Sequence, residues 1–349
     1  MDNKQSRMWM EIFEQPEKIK DTLRINTPII KKIVADIKKR NIKTVIFTAR
    51  GSSEHACQVA RYLFETKCGM TASIATPSVI TLYNGNIDLS NVLTIGVSQS
   101  GGAQDVYEFM LATEEQGGLC VSVTNDRNSI MASVGTYRMN LECGEEKSIT
   151  AAKSYLTQLT LLTAIAAYLS NDQELMDLLP NIAMIVDKSL ALESQVKTLV
   201  PYLRNNENIL IIARGLLYGL ALETELKIQE TCYLDARAYA ASDYQHGPIA
   251  TSKRFVPVLF FIADPLTDES VIKLHERLKQ ERKIFSIIVT NNNQSYDADL
   301  VVKINNTYTG MSAVFSCAVF SQMLACLLSI ARGYNPDAPQ GVSKHTVTR

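Results

Sequence analysis

An excess of charge of either sign is missing from this sequence: 35 Lys and Arg face 36 Asp and Glu over 349 residues, a formal net charge of −1. No basic field is available to attract nucleic acid or an anionic membrane, so any anion must be recognised by local geometry. The cysteines also lack the spacing of a disulfide framework or zinc site. Cys57, Cys68, Cys120, Cys143, Cys232, Cys317 and Cys326 form an odd set without a Cys-x-x-Cys pair, mostly among apolar neighbours. That pattern describes reduced core thiols in a cytoplasm. The N-terminus, with Asp2, Lys4, Arg7 and Glu11, lacks the apolar run of a secretory signal. Long uncharged runs are scarce too. Met311 to Ala331 is the exception, and Ser312, Ser316, Ser321, Gln322 and Ser329 interrupt it, so it reads as a buried helix and no membrane span is expected.

The apolar fraction is 46%, enough to fill the cores of the two domains that the length suggests. Residues 1 to 38 read as an amphipathic helical segment with a break before Pro28. Strands are expected at Thr44 to Ala49, Thr71 to Ala75, Asn91 to Val97, Leu119 to Thr124 and Tyr137 to Leu141, with helices at Ser53 to Thr66, Ala103 to Glu115 and Ile149 to Leu169. Strands alternating with helices predict an α/β fold, a doubly wound parallel sheet flanked by helices.

Between the third strand and its helix lies Ser98-Gln99-Ser100-Gly101-Gly102. A strand-to-helix turn offers free backbone N–H groups and the positive end of a helix dipole, and the two serines and the glutamine add donors. Such a turn suits a phosphate. Taken alone, it serves equally well as a simple helix cap.

After the first helical crossing the pattern restarts. Ile209-Leu-Ile-Ile-Ala213-Arg214-Gly215 echoes Val45-Ile-Phe-Thr-Ala49-Arg50-Gly51, Val289-Thr290-Asn291 echoes Val123-Thr124-Asn125, and Gln322 echoes Gln158. Three echoes in one order at nearly constant spacing predict a tandem duplication. The position matching Ser98 falls at Ala263-Asp264-Pro265, where no Ser-Gln-Ser-Gly exists. A cap would be useful in both copies, so its confinement to one favours a phosphate-binding role. The second copy has its own unusual stretch, with Glu223, Lys227 and Glu230 at i, i+4 and i+7 on one helical face. That face reads either as a solvated Glu–Lys pair or as a functional cluster. His246, before Gly247-Pro248, reads equally as a functional residue or as an ordinary turn histidine.

These pieces together resemble the tandem sugar-isomerase (SIS) domains, most closely the isomerase half of the glucosamine-6-phosphate synthases. The resemblance runs from Met10-Glu11-Ile12 and Glu14-Gln15-Pro16 through Arg50-Gly51-Ser52-Ser53, Ser98-Gln99-Ser100-Gly101, Glu146 and Lys153. It continues with Glu223 to Glu230, Ala238 to Ala241, His246-Gly247-Pro248 and Ser343-Lys344-His345-Thr346-Val347. It implies two SIS domains at residues 39–172 and 173–335, a helical segment at 1–38, and a tail or lid at 336–349.

The resemblance also implies roles. Ser98, Gln99, Ser100 and Gly101, with Ser52 and Ser53, would bind a sugar phosphate. Glu230 matches the carboxylate that moves a proton between C1 and C2 through an enediol or enolamine, His246 the ring-opening histidine supplied by the neighbouring subunit of a homodimer, and Lys344 the tail lysine that closes over the sugar. No cofactor is expected. Two departures stand out. Gly102-Ala103 replaces the usual Gly-Glu-Thr, and Ala151-Ala152 replaces Ser-Thr before Lys153, so the sugar is expected to differ from fructose 6-phosphate. No cysteine follows Met1, so the glutaminase reaction is not expected. The expected function is that of a cytoplasmic amino-sugar-phosphate deaminase or aldose–ketose isomerase. A fructosamine-6-phosphate deglycase and a non-catalytic sugar-phosphate sensor are the alternatives.

Overall fold

The computed structural model describes residues 6–341. These divide into two compact units, one built from residues 14–146 and 153–183, the other from the N-terminal segment up to Phe13, 147–152 and 184–341. Lys344 lies outside the described residues.

In the first unit the chain runs α1 (Arg7–Lys39, entering the unit at Glu14), β1 (Thr44–Ala49), α2 (Ser52–Thr66), β2 (Thr71–Ile74), α3 (Ser78–Thr81), β3 (Leu93–Ser98), α4 (Gln104–Glu115), β4 (Leu119–Thr124), α5 (Ile130–Ser133), β5 (Tyr137–Asn140), α6 (Lys153–Ser170) and α7 (Gln173–Leu178). The five strands form a wholly parallel sheet in the order β2-β1-β3-β4-β5, with Val45 beside Leu93 and Leu93 beside Leu119. The three inner strands are apolar and β-branched because helices cover both faces, so no polar alternation is needed.

The second unit repeats this plan with α8 (Ile182–Ser189), α9 (Glu193–Leu203), β6 (Asn208–Ala213), α10 (Leu216–Cys232), β7 (Asp235–Ala240), α11 (Ala241–Tyr244), β8 (Pro257–Ile262), α12 (Asp268–Arg282), β9 (Phe285–Thr290), β10 (Leu300–Lys303) and α13 (Met311–Ala331). Its sheet, again parallel, has the order β7-β6-β8-β9-β10, the same winding as the first. The duplication reaches the backbone angles. Gly51 and Gly215, which cap α2 and α10, have φ/ψ of 55/−133° and 64/−135°. Helix α13 is the described helix long and apolar enough to cross a membrane, and 94% of its most apolar window is buried inside the protein.

Edge strands present unpaired backbone groups that need covering. Here side-chain amides do it. Asn26 on α1 donates to the Asn140 carbonyl at 2.7 Å and accepts the Asn140 N–H at 3.2 Å. Gln195 on α9 brackets Lys303 in the same manner, at 2.9 and 2.8 Å. On the opposite edge, Gln229 and Glu225 of α10 reach Ala236 and Ala238 of β7.

Two expectations need correction. No break precedes Pro28: α1 runs on through Pro16 and Pro28. A proline removes one N–H and strains the preceding turn, but Asn26 Nδ2 bonds the Thr22 carbonyl and Thr27 Oγ1 the Leu23 carbonyl there. The buried face of Ile19, Thr22, Asn26, Ile30, Ile33 and Ile37 supplies the packing that keeps the helix whole. Helix α6 begins at Lys153 and not at Ile149, because the buried Glu146 carboxylate accepts both the N–H and the hydroxyl of Ser154 at 3.0 and 2.8 Å and so sets the N-terminus.

His275 on α12 is 1% exposed, packs edge-on to Phe260, and has no hydrogen bond to either ring nitrogen. Burial holds it below the ordinary value of 6.5, and nearby Lys279 lowers it further, against the opposing pull of Asp297, Glu276 and Asp299. A histidine depressed in the folded state stabilises the fold above the unfolded pKa, and that contribution is lost as pH falls. The unfolding free energy from denaturant titrations is therefore expected to drop as pH falls below 6.5, by up to about 1.4 kcal/mol per pH unit. His275→Leu should flatten that slope, and an unchanged slope would assign the acid sensitivity elsewhere.

Candidate functional site

In the first unit, Gly51 caps α2 just after β1, and its positive φ turns the chain so that Ser52 and Ser53 open the helix. Ser53 is nearly buried, and its hydroxyl oxygen accepts a hydrogen bond from Gln158 Nε2 of α6 at 3.0 Å. With its acceptor side occupied, the Ser53 hydroxyl proton is left to donate. Gln158, singled out in the sequence only as half of an echo, is thus a second layer beneath a candidate phosphate contact.

Ser98-Gln99-Ser100-Gly101 follows β3. Gly101 has φ +65°, and a Cβ there would lie 2.1 Å from Ser129 Oγ, so only glycine fits. The main chain is pinned at both ends of the turn: Asn125 N–H donates to the Gln99 carbonyl and Met131 N–H to the Gly101 carbonyl. The expected free amides are partly used internally. Gly101 N–H donates to Ser98 Oγ at 3.1 Å and Gly102 N–H to Ser100 Oγ at 3.3 Å. The donors left for an anion then include the two serine hydroxyl protons, polarised by the amides behind them, and the side-chain amide of Gln99. Ala103 caps α4 without a side-chain hydrogen bond, which leaves the helix start open to an external acceptor. Arg50 donates through Nε to Asp105 Oδ2 at 2.9 Å, so the acidic first turn of α4 is paired to a cation. Asp105 was not predicted, although an acid just inside a helix start is a recognisable signal.

The matching turn of the second unit takes a different form. After β8, the Asp264 carboxylate accepts the Leu266 N–H, and Asp268 accepts the Asp264 N–H at 2.9 Å. Protein carboxylates therefore supply the acceptors in that turn. The anion-ready turn is a property of the first unit.

The candidate residues of the second unit lie on α10. Glu223, Lys227 and Glu230 share one face, as their spacing predicts, but the face is not solvated. The side chains of Glu223, Lys227 and Glu230 are 2%, 0% and 19% exposed, and Lys227 Nζ lies 3.4 Å from Glu223 Oε1 and 2.8 Å from Glu230 Oε2. Leu217, Leu220, Ala221 and Ile228 are buried on the same helix. Three charged groups inside an apolar helix are costly to bury and survive only when mutually paired. Glu230 is the one carboxylate of the set with access to solvent. The ammonium behind it supplies a fixed positive charge and three donors, an arrangement able to hold a carboxylate oriented while it gives or takes a proton.

His246 lies in the turn after α11 with an exposed side chain, and its main-chain N–H donates to the Asp243 main-chain carbonyl. Tyr244, fully buried and bonded to Ser252 Oγ at 2.6 Å, anchors that turn. The motif at Glu14 and the lysine at Lys153 meet in the first unit as an ion pair of 2.7 Å. The cysteines contribute no nucleophile here: burial raises Cys57 well above the ordinary range and takes Cys232 and Cys326 up to about 12. Among the described residues no group of three or more His, Cys, Asp or Glu is placed to hold a metal.

The sequence profile of the SIS domain matches residues 39–168 and 202–330. Glutamine–fructose-6-phosphate aminotransferase [isomerizing] of Thermococcus kodakarensis is 28% identical over 346 residues, covering 97% of this chain and 57% of that protein. The same-named protein of Sulfurisphaera tokodaii is 28% identical over 345 residues, with coverages of 98% and 56%. The chain thus spans a little over half the length of these relatives. Among solved structures, the C-terminal domain of glucosamine-fructose-6-phosphate aminotransferase from Francisella tularensis superposes with a TM-score of 0.85 at 22% identity, covering 96% of this chain and 98% of that one. Glucosamine-6-phosphate deaminase from Thermotoga maritima gives 0.80 at 19% identity, covering 98% and 100%.

Proposed function

This chain belongs to the SIS domain family, and from that premise we propose that it is a phosphosugar-processing enzyme that deaminates and isomerises an amino-sugar phosphate to a ketose phosphate. The observation that carries the proposal is the buried Glu223–Lys227–Glu230 set, in which Glu230 alone reaches solvent. A protein that only sensed sugar phosphates would need the serine turn and would have no use for a buried lysine holding a carboxylate.

The roles follow from the chemistry. Ser98, Gln99, Ser100 and Gly101, with Ser52 and the Gln158-oriented Ser53, hold the phosphate. His246, exposed on its anchored turn, suits a base that serves a second copy of the chain, so the working form is a homodimer. It assists ring opening to the C1 aldehyde. Glu230 takes the proton from C2 and returns it at C1 through an enolamine, and the imine left at C2 adds water and loses ammonia as the ketone forms. No electrons enter or leave, because C1 is reduced as C2 is oxidised. The hydroxyl-poor Ala151-Ala152 and Gly102-Ala103 favour a sugar other than that of the glucosamine-6-phosphate synthases.

Purified protein is expected to release ammonia and form an equal amount of ketose phosphate from an amino-sugar phosphate such as galactosamine 6-phosphate, faster than from glucosamine 6-phosphate. Ketose formed from aldose phosphates without ammonia would reduce the activity to plain isomerisation. Release of an amino acid from a fructosamine 6-phosphate would make it a deglycase. Binding without turnover on every substrate would overturn the enzyme reading.

A further inference from the structure

The donors gathered for the phosphate are all neutral: the hydroxyls of Ser52, Ser53, Ser98 and Ser100, the Gln99 amide and the open start of α4. A phosphate monoester carries about 1.5 to 2 negative charges at pH 7. One cation stands beside these donors. Ala49 of β1 pairs with Val97 of β3, so Arg50 and Ser98 follow neighbouring strand ends, about 5 Å apart. The winding of the sheet reverses between these two strands, which is where open parallel sheets take their ligands.

The Arg50 side chain reaches from the end of β1 to the first turn of α4, the helix into which the serine turn leads. Its Nε donates to Asp105 Oδ2 at 2.9 Å, and its Nη2 donates to the same oxygen. Asp105 is itself fixed: its side chain is 5% exposed, and Oδ1 accepts the Val106 N–H at 2.9 Å. The guanidinium is thus locked along one edge while 42% of the arginine side chain stays exposed. A guanidinium has five N–H groups. Two are used here, and the other three have no partner among the described residues. An arginine already held in one geometry gives up little conformational freedom when it takes an anion. Gly102 and Ala103 bring no side-chain donor of their own to the start of α4, so the charged contact falls to Arg50.

A purely structural ion pair would serve both copies of the duplication. Arg214 follows β6 at the matching place, but it forms no ion pair among the described residues, and the turn after β8 is built on the Asp264 and Asp268 carboxylates. The locked arginine and the serine turn occur in the same copy. We infer that Arg50 is a phosphate-binding residue of this site, its free edge turned to the anion on Ser98-Gln99-Ser100-Gly101 and its other edge held by Asp105. The inference rests on the phosphosugar reading above and adds the one charged ligand to it.

Calorimetric titration of the full chain with galactosamine 6-phosphate and with inorganic phosphate tests it. Arg50→Met combined with Asp105→Asn removes the cation without stranding a buried carboxylate. It should weaken both ligands about thirtyfold, within the range for losing a hydrogen bond to a charged group. Arg50→Lys keeps a cation near Asp105 but lacks the planar fork that can serve two anions at once, and should weaken both ligands about tenfold. Wild-type affinity should fall as salt is raised, and that of the double variant should fall less steeply. Ser98→Ala should weaken binding with the salt dependence retained. Affinities and salt dependence equal to wild type in both Arg50 variants would overturn the inference, and a loss in Ser98→Ala alone would leave the phosphosugar reading standing without it. Failure of the wild type to bind either ligand would overturn both.

Discussion

Glu230→Gln is expected to lower kcat for ammonia release by about a thousandfold, the middle of the range for removing a positioned general base, while leaving substrate binding nearly unchanged. The amide has the shape of the carboxylate, and its oxygen can still accept from Lys227 Nζ, which lies 2.8 Å from Glu230 Oε2. What is lost is the ability to take a proton from carbon. The effect therefore falls on kcat and not on KM, and the substrate should still raise the unfolding temperature of the variant. A variant as active as wild type would move the proton shuttle to another group. Equal inertness of both forms, with sugar phosphate still bound, would identify a sensor.

The parts of this reading differ in how far the sequence carried them. β4 and α13 match their expected bounds because each is a continuous apolar run closed by turn residues. The duplication was legible in repeated strands and in Gly51 and Gly215, where the backbone demands glycine and leaves a visible mark. Where long-range partners decide the outcome, local pattern misled. Pro28 is an ordinary helix breaker until Asn26 and Thr27 bond the preceding turn, and Glu146 fixes the start of α6 from outside the helix. The candidate site shows the same division. Spacing placed Glu223, Lys227 and Glu230 on one face, yet i, i+4, i+7 is identical for a solvated pair and a buried set. Only the covering of α10 by other elements distinguishes them. The serine turn was found, but the internal use of the Gly101 and Gly102 amides depends on φ at Gly101 and on Ser129 behind it.

The buried set on α10 carries a second large expectation. Lys227→Met should destabilise the second unit by about 3–5 kcal/mol, because it leaves the Glu223 carboxylate, 2% exposed, without the cation beside it. Methionine fills nearly the same volume, so lost packing contributes little, and the deficit reports the loss of the ammonium from beside the Glu223 carboxylate. That origin gives the expectation a clean check. Combining Lys227→Met with Glu223→Leu removes both buried charges and should recover most of the lost stability, whereas independent packing defects would add. Turnover separates the two roles of the lysine. If Lys227 serves only to neutralise Glu223, the stable double variant regains activity along with its fold. If it also orients Glu230, as the 2.8 Å contact implies, the double variant is folded and still slow, with the loss in kcat. Chemical denaturation of the second unit followed by steady-state kinetics on the same samples distinguishes these outcomes. A folded, slow double variant would place Lys227 as the positioning residue of the proton shuttle, one step behind the carboxylate that touches the sugar.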